Sequence, residues 1–421
     1  MLFFYRILIN FIFILSPLII ILRLFNGKES FIRFKEKYCF FSRKRSSGKV
    51  IWFHGASVGE LQSIVPLLER LEKDKTIKQI LITSNTLSSS KIVEKFKLKK
   101  IVHQFFPIDT YFLIKKFLRY WKPSAVFFID SEIWPNTIMN LGERKIPIFL
   151  LNGRITKKTF KRWLKLRNFS KKIFENFELC FSSSIESKRY LKALGAKKVK
   201  YFGNLKFSQS DNEKDLINSD FKKFIKNKKV WCASSTHKSE ELFCGLIHKK
   251  IKKKYKNLLT VIIPRHIDRV DDIKMELNNL NLKIHTHDPK KKIHKDTDIY
   301  LVNSYGKTKS FYNNCKNIFL GGSLINHGGQ NPLEATRFGC NILHGPHVSN
   351  FKEIYEFLKI KNISKVVTSE KNTIKALINL FNRKKFSKKA QKELNKIGVK
   401  ILDSTINEIN FIINKNETKK T

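Results

Sequence analysis

NIFLGGSLINHGGQNPLEATRFGCNILHGPH, residues 317–347, carries the plan of the fold in one unit. An apolar run (317–320) leads into a glycine pair, a second pair, Asn331-Pro332, a helical pattern bearing Glu334, and a further apolar run at 342–344. Strand, glycine-rich loop, helix, strand is the repeating module of a parallel sheet. Glycines lack Cβ and let backbone N–H groups approach a partner closely. Asn331 is placed to cap the helix, with Pro332 and Leu333 at its start. Such a helix start offers unpaired N–H groups and a positive dipole end to a phosphate. Glu334, in the first turn, suits ribose hydroxyls. A tight turn with no ligand uses the same glycines, but two pairs, a capped start and a first-turn carboxylate together favour a nucleotide site.

The same alternation extends outward from this unit. Apolar runs at 50–54, 80–83, 101–106, 125–129, 148–151 and 199–202 alternate with helical patterns, and a second series follows at 230–233, 259–263, 299–302, 318–320, 342–344 and 365–367. This predicts an α/β protein of two Rossmann-like αβα domains. The expected boundaries are 1–25 for an anchor, 26–207 for the first domain, 208–228 for a polar linker, and 229–421 for the second domain with its terminal helix. Ligands of such sheets sit at the carboxyl ends of the strands, and one cleft between the domains is expected to collect the motifs.

Composition narrows the partners. Among 421 residues, 83 Lys and Arg face 35 Asp and Glu, a formal net charge of +48. That excess points to a polyanion such as nucleic acid, an anionic membrane or a phosphorylated substrate, with part of it assigned to solvated faces of a Lys-, Ile-, Asn- and Phe-rich chain. The six cysteines form no CxxC pair and read as small buried residues of a reducing compartment. Residues 7–22 are apolar apart from Asn10, Ser16 and Pro17, and Arg6 and Arg23 bracket them. The run is short for a span and lacks a cleavage site, so a tilted span or interfacial anchor is expected. Lys28, Arg33, Lys35, Lys37, Arg43, Lys44 and Arg45 follow, which places the rest on the cytoplasmic side, near anionic headgroups.

Chemistry-bearing residues cluster at the predicted strand ends. His54-Gly55-Ala56-Ser57-Val58-Gly59-Glu60 closes the first strand and brings Glu60 into a first helical turn, either as a general base or as a partner of the dipole. Asp130-Ser131-Glu132-Ile133-Trp134-Pro135-Asn136 sets two acids beside an aromatic, as sugar binding or helix capping demands. Ser234-Ser235-Thr236-His237 and Pro264-Arg265-His266 offer hydroxyls and a cation suited to a phosphate, with multiple capping and a solvated charge as the plainer readings. Lys206 lies at the expected domain junction. Neither HExxH nor GxxxxGK[ST] occurs, and no metal or cofactor is expected.

These motifs, with Asn152–Arg154, Gly203–Phe207, Gly321–Leu324, Gly328–Glu334 and Gly345–His347, stand in the order and near the spacing of the bacterial 3-deoxy-D-manno-octulosonic-acid (Kdo) transferases, which the chain resembles over nearly its whole length. The resemblance implies glycosyltransferase fold type B and metal-free, inverting transfer of Kdo from CMP-Kdo to a lipid A precursor (lipid IVA) at the cytoplasmic face of the bacterial inner membrane, with anionic lipid but no nucleic acid as partner. It implies catalytic roles for Glu60, Asp130, Glu132 and Lys206. Donor contacts are implied for Ser235, Thr236, His237, Pro264, Arg265, Gly306, Gly322, Ser323, Asn331, Pro332, Leu333 and Glu334. Acceptor contacts are implied for His54, Ser57, Asn136 and Arg154. Asp130 stands where the family usually has glutamate, and Asn303 and Lys307 where it usually has acids. Another nucleotide sugar, or a basic binder of nucleic acid or membrane surfaces without catalysis, are the rival readings.

Overall fold

The computed structural model describes residues 1–209, 219–288, 291–382 and 388–418. The chain divides into two compact units, Met1–Ser210 with Ile397–Thr421, and Asp211–Lys396. Among the described residues each unit is built on one seven-stranded sheet, and every ladder is parallel.

In the first unit the strands are β1 (Lys49–His54), β2 (Ile77–Ser84), β3 (Ile101–Phe105), β4 (Ala125–Ile129), β5 (Ile148–Gly153), β6 (Leu179–Ser182) and β7 (Val199–Lys200). Their order is β3-β2-β1-β4-β5-β6-β7. Helices cover both faces, so the strands read as unbroken apolar runs. The period of two survives in the packing. Trp52, Val126, Phe128 and Leu150 enter one core cluster, and their neighbours Ile51, Phe53, Phe127 and Phe149 enter the other. The rings of Phe53, Phe127 and Phe149 stack across β1, β4 and β5 with centroids 4.7 Å apart.

The second unit holds β8 (Lys229–Thr236), β9 (Leu258–Pro264), β10 (Ile284–Thr286), β11 (Ile299–Leu301), β12 (Asn317–Leu320), β13 (Asn341–His344) and β14 (Ser364–Val366), ordered β10-β11-β9-β8-β12-β13-β14. Each sheet grows in opposite directions from one central pair, β1/β4 in the first and β8/β12 in the second, where β11 also inserts between β9 and β10. Ligands of open parallel sheets bind outside the carboxyl ends at such reversals. His54–Glu60 and Asp130–Trp134 lie at the first, and Ser234–His237 and Gly321–Leu324 at the second.

Three differences from the sequence reading have physical causes. Strands β6 and β10 were not expected: β6 is four residues ending in serine, and β10 is a polar edge strand. Of the expected linker, 210–218 lies outside the described residues; 219–225 is the helix Ser219–Ile225. The terminal helix Lys388–Thr418 was expected to stay with the second domain. Instead Ile401, Leu402, Ile409 and Ile412 complete an apolar cluster of the first unit. The first 25 residues form the helix Leu2–Phe25, long and apolar enough to cross a membrane by length and composition. It buries Ile9, Ser16 and Ile20 and exposes Phe4, Leu8, Phe11, Leu15, Leu18 and Leu22.

Candidate active site

The turn after β1 shapes the acid site of the first unit. Ser57 caps the helix Val58–Ser63, its hydroxyl accepting from the Glu60 N–H at 3.3 Å and donating to Glu60 Oε1 at 2.9 Å. Glu60 Oε2 accepts from the Ala56 N–H at 2.8 Å. This reciprocal capping box fixes the carboxylate in one place. Gly55-Ala56-Ser57-Val58-Gly59 has the GxSxG spacing of a nucleophile elbow, a motif the chain was expected to lack. Ser57 has relaxed extended backbone (φ −107°, ψ 156°), and its hydroxyl is bonded to Glu60 rather than to a histidine. It is a cap.

Two further acids approach Glu60. Burial and then the Glu132 charge push the Glu60 carboxyl up to about 7, with a smaller push from Asp130. Burial opposes ionisation of Glu132, but His54 and the Trp134 indole N–H hold it below the usual carboxylate range. The distances are 3.2 Å from His54 Nε2 and 2.9 Å from Trp134 Nε1. The other nitrogen of His54 meets Thr83 Oγ1 at 2.9 Å, so the buried ring orients Glu132. Asp130 has a left-handed backbone (φ 60°), uncommon for a residue with Cβ. Burial raises its carboxyl against the pull of Lys206 and Arg154. Lys206 Nζ lies 3.6 Å from Asp130 Oδ2. The buried Oδ1 has no hydrogen-bond partner among the described residues. Backbone strain and an unsatisfied carboxylate oxygen at one residue are the marks of a functional position.

Of the expected residues in this unit, His54, Ser57, Glu60, Asp130, Glu132, Arg154 and Lys206 come together. Asn136 does not join them as an open acceptor contact. It is fully buried, its amide donates to the Asp109 carbonyl at 2.6 Å, and its Oδ1 accepts from Arg6 at 3.1 Å.

The second unit corrects the reading of the glycine loop. The N–H groups of Gly322 and Ser323, expected to face the donor, and that of Leu324 are bound by the buried Glu240 carboxylate at 2.7, 3.1 and 3.0 Å. Glu240 also accepts from the His237 N–H at 3.0 Å. Gly321 is glycine because a Cβ there would lie 2.5 Å from the Ser235 carbonyl oxygen. Gly345 has the same reason at 2.1 Å from Ser323 O. The helix Leu333–Arg337 starts one residue later than expected, with Pro332 rather than Asn331 at the cap position; Asn331 precedes it, its Oδ1 accepting from the Leu333 N–H at 3.1 Å, and Glu334 lies in the first turn. Pro332 and Leu333 are buried behind it.

The groups gathered at the β8/β12 reversal are basic and aromatic, buried at His237 and exposed at Arg265 and His327. The His237 ring lies 4.3 Å from that of His327 and 5.7 Å from that of His266. Burial, and then the charges of His327, His266 and two arginines, lower His237 to about 4, so it is neutral at neutral pH. Arg265 is exposed, its backbone N–H bonded to Thr236 O at 2.9 Å. Ser235 adopts φ 56° beside it, and Pro264 closes β9. Gly306 follows β11, which is two strands from β8. Glu240 is the residue that sequence reasoning missed: a first-turn glutamate reads as a dipole partner, and only the fold shows that it binds a loop 82 positions away.

Asp296-Thr297-Asp298 has the DxD spacing of a metal pair, which the chain was also expected to lack. Asp298 accepts from His248 at 3.1 Å, from Lys252 and from the Lys283 N–H at 3.0 Å, while Asp296 pairs with Lys283 and His294. These carboxylates are committed to cations and to the backbone.

Known proteins resemble this chain in sequence and in fold. The family described as 3-deoxy-D-manno-octulosonic-acid transferase (kdotransferase) matches residues 32–209. The 3-deoxy-D-manno-octulosonic acid transferase of Rickettsia prowazekii is 34% identical, over 79% of this chain and 72% of that protein. The one from Rickettsia bellii is 33% identical, over 81% and 82%. The one from Haemophilus influenzae is 28% identical, over 88% and 87%. Among solved structures, UDP-GlcNAc 2-epimerase from Neisseria meningitidis aligns with a TM-score of 0.58 at 16% identity, covering 86% of this chain and 98% of that one. UDP-N-acetylglucosamine 2-epimerase from Rickettsia bellii aligns with a TM-score of 0.51 at 16% identity, covering 87% and 98%. At that identity these two speak for the fold alone, a pair of Rossmann-like domains of the glycosyltransferase type B kind. The sequence relatives carry the family, and by them this chain belongs to the 3-deoxy-D-manno-octulosonic-acid transferases.

Proposed function

We propose that the chain transfers Kdo from CMP-Kdo to a hydroxyl of a lipid A precursor, with inversion and with protein groups alone doing the chemistry. The observation that carries this is Glu60, a carboxylate fixed by a capping box, raised to about 7 and set beside two other acids. A general base works best when its pKa lies near the working pH. In this reading Glu60 takes the proton from the acceptor hydroxyl. The freed oxygen attacks the anomeric carbon, the bond from that carbon to the CMP phosphate oxygen breaks, and its electron pair leaves with CMP. Attack opposite the leaving group inverts the centre.

The remaining residues divide by charge. Asp130 faces the positive charge of the oxocarbenium-like state, and Lys206 and Arg154 beside it offset the negative charge of the sugar carboxylate and of the leaving group. Arg265 neutralises the departing phosphate, Glu334 accepts from the ribose, and Ser235, Thr236, His237 and Gly306 border the donor. His54 holds Glu132 in place, and Ser57 holds Glu60. The apolar helix Leu2–Phe25 and the basic exposed surface support residence on the anionic, cytoplasmic leaflet of the inner membrane, where such an acceptor is found.

The test is release of CMP from CMP-Kdo, with lipid IVA in detergent as acceptor. Transfer with CMP-Kdo and none with uridine-linked sugars is the expected result; the converse would make this a family member with a different donor. Calorimetry with CMP locates the donor half. Arg265→Ala and Glu334→Ala each weaken binding by roughly ten- to a hundred-fold, as loss of a charge-assisted contact of about 1.5–3 kcal/mol requires. Unchanged affinity in both variants would move the donor elsewhere.

A further inference from the structure

The apolar N-terminal helix is fastened to the acid site at its first turn. Asp109, in the loop after β3, is fully buried. Its carboxylate accepts from the Tyr5 hydroxyl at 2.7 Å, from the N–H groups of Asn136 at 3.0 Å and Thr137 at 2.9 Å, and from Thr137 Oγ1 at 2.5 Å. Arg6 Nε donates to Asn136 Oδ1 at 3.1 Å, and its guanidinium lies 4.6 Å over the Tyr111 ring. Tyr5 and Arg6 therefore grip the start of the helix Pro135–Glu143 from two sides, one through Asp109 and one directly. That helix starts one residue after Trp134, whose indole N–H binds Glu132.

A second path runs through the same loop. The Phe106 ring lies 4.0 Å from His54 and 5.1 Å from Trp134, so the segment that carries Asp109 also packs on the two residues that orient Glu132. Further along, Phe13 packs edge-on against Tyr38 and Phe112, and the Ser16 and Tyr38 hydroxyls lie 2.8 Å apart. The helix is thus docked well beyond its first turn. A flexible tether would need none of these contacts, and a free span would leave Asp109 buried without its Tyr5 donor.

We propose that Tyr5 and Arg6 are positioning residues for the Glu132–Trp134 segment, so that the membrane-seeking helix is a working part of the acid site. Removing the helix loosens the start of the helix Pro135–Glu143 and lets Glu132 drift relative to Glu60. This departs from the expectation of a separable anchor. The structural half stands on the contacts alone, and the kinetic half rests on the proposed Kdo transfer.

The experiment compares the full chain with Tyr5→Phe, with Arg6→Met, and with the exposed-face control Leu18→Ser/Leu22→Ser, all in detergent. Hydrogen exchange is followed at the Asn136 and Thr137 amides, with the β1 and β4 amides as a measure of global folding. Exchange at 136–137 rises about ten-fold in Tyr5→Phe and Arg6→Met while β1 and β4 stay protected, and the control matches the parent. In the CMP-release assay kcat falls about ten- to a hundred-fold, KM for the donor stays, and the acid limb of the pH profile shifts because Glu132 no longer holds its distance from Glu60. Parental exchange and a parental pH profile in both variants would overturn the proposal. So would a loss in the control equal to that in the variants, since the helix would then act only through its apolar face. If Tyr5→Phe unfolds the unit, Arg6→Met, which leaves the Tyr5–Asp109 bond in place, decides alone. Raised exchange in a chain whose parent transfers no Kdo would uphold the positioning and sink the proposed function.

Discussion

At the scale of single residues, the acid site is a set of carboxylates pushed apart in acidity by their neighbours. Glu60 is raised to about 7, and Glu132 is held low by His54 and Trp134. Groups so separated can take different roles at one pH. Because a base must be unprotonated, kcat/KM is expected to rise with pH through about 7 and level off above it. Glu60→Gln removes proton transfer and is expected to lower the rate about 10²–10⁴-fold while CMP affinity stays. Glu132→Gln removes a negative charge that raises Glu60, so the acid limb moves to lower pH. A pH–rate profile measured on both variants checks the two signs. Glu60 was legible in the sequence because a strand, small residues and a first-turn acid are a local pattern. Glu240 was not. Its four backbone donors come from His237 and from 322–324, and nothing local marks that pairing. Glu240→Ala leaves four N–H groups without their acceptor, and a loss of about 3 kcal/mol or more in unfolding free energy is expected. Denaturant unfolding with CMP titration measures it, and donor affinity falls with the loop.

At the scale of elements, the alternating apolar runs were legible because buried parallel strands are long and apolar on both faces. The short β6 and the polar edge strand β10 gave no such signal. The path of the terminal helix was illegible for a different reason. An apolar stripe says that a helix is covered, but not by which unit. In the structure the helix Lys388–Thr418 braces the segment that carries Lys206. A Cβ on Gly398 would lie 2.3 Å from Phe207 O, and one on Gly203 would lie 2.4 Å from the Ile401 side chain. Gly398→Val is therefore expected to displace the 3₁₀ turn Leu205–Ser208 and with it Lys206, which faces Asp130. Overpacking of this kind costs about 1–3 kcal/mol. The expected signature is a lowered kcat with unchanged CMP affinity, since the strain falls in the first unit; unchanged kcat would separate the helix from the site.

At the scale of the whole molecule, the charge of +48 invited a reading of the basic run after the apolar helix as a uniform lipid-binding strip. The structure divides that run. Arg33 is committed to Glu36 and His103, Lys37 to Glu29, and Arg45 to the carbonyls of Trp121, Ser46 and Gly48. Lys28, Lys35, Arg43 and Lys44 stay exposed, as do Lys157, Lys158, Lys161 and Arg162 after β5. A basic residue near an anionic surface is worth about 1 kcal/mol, and the attraction fades within a Debye length of about 8–10 Å at ordinary salt. The apolar helix contributes by area and is insensitive to salt. Membrane binding should therefore have two separable parts. The full chain is expected to bind zwitterionic vesicles weakly and anionic vesicles strongly, with a remainder that persists in high salt. A chain lacking residues 1–25 keeps only the salt-sensitive part and leaves zwitterionic vesicles altogether. Lys35→Ser/Arg43→Ser/Lys44→Ser in the full chain lowers binding to anionic vesicles at low salt, about ten-fold or more, and leaves the high-salt remainder untouched. Co-sedimentation across a salt series reads both parts. If the triple substitution lowered the high-salt remainder instead, the division between apolar area and exposed charge would be wrong, and these cations would belong to the fold.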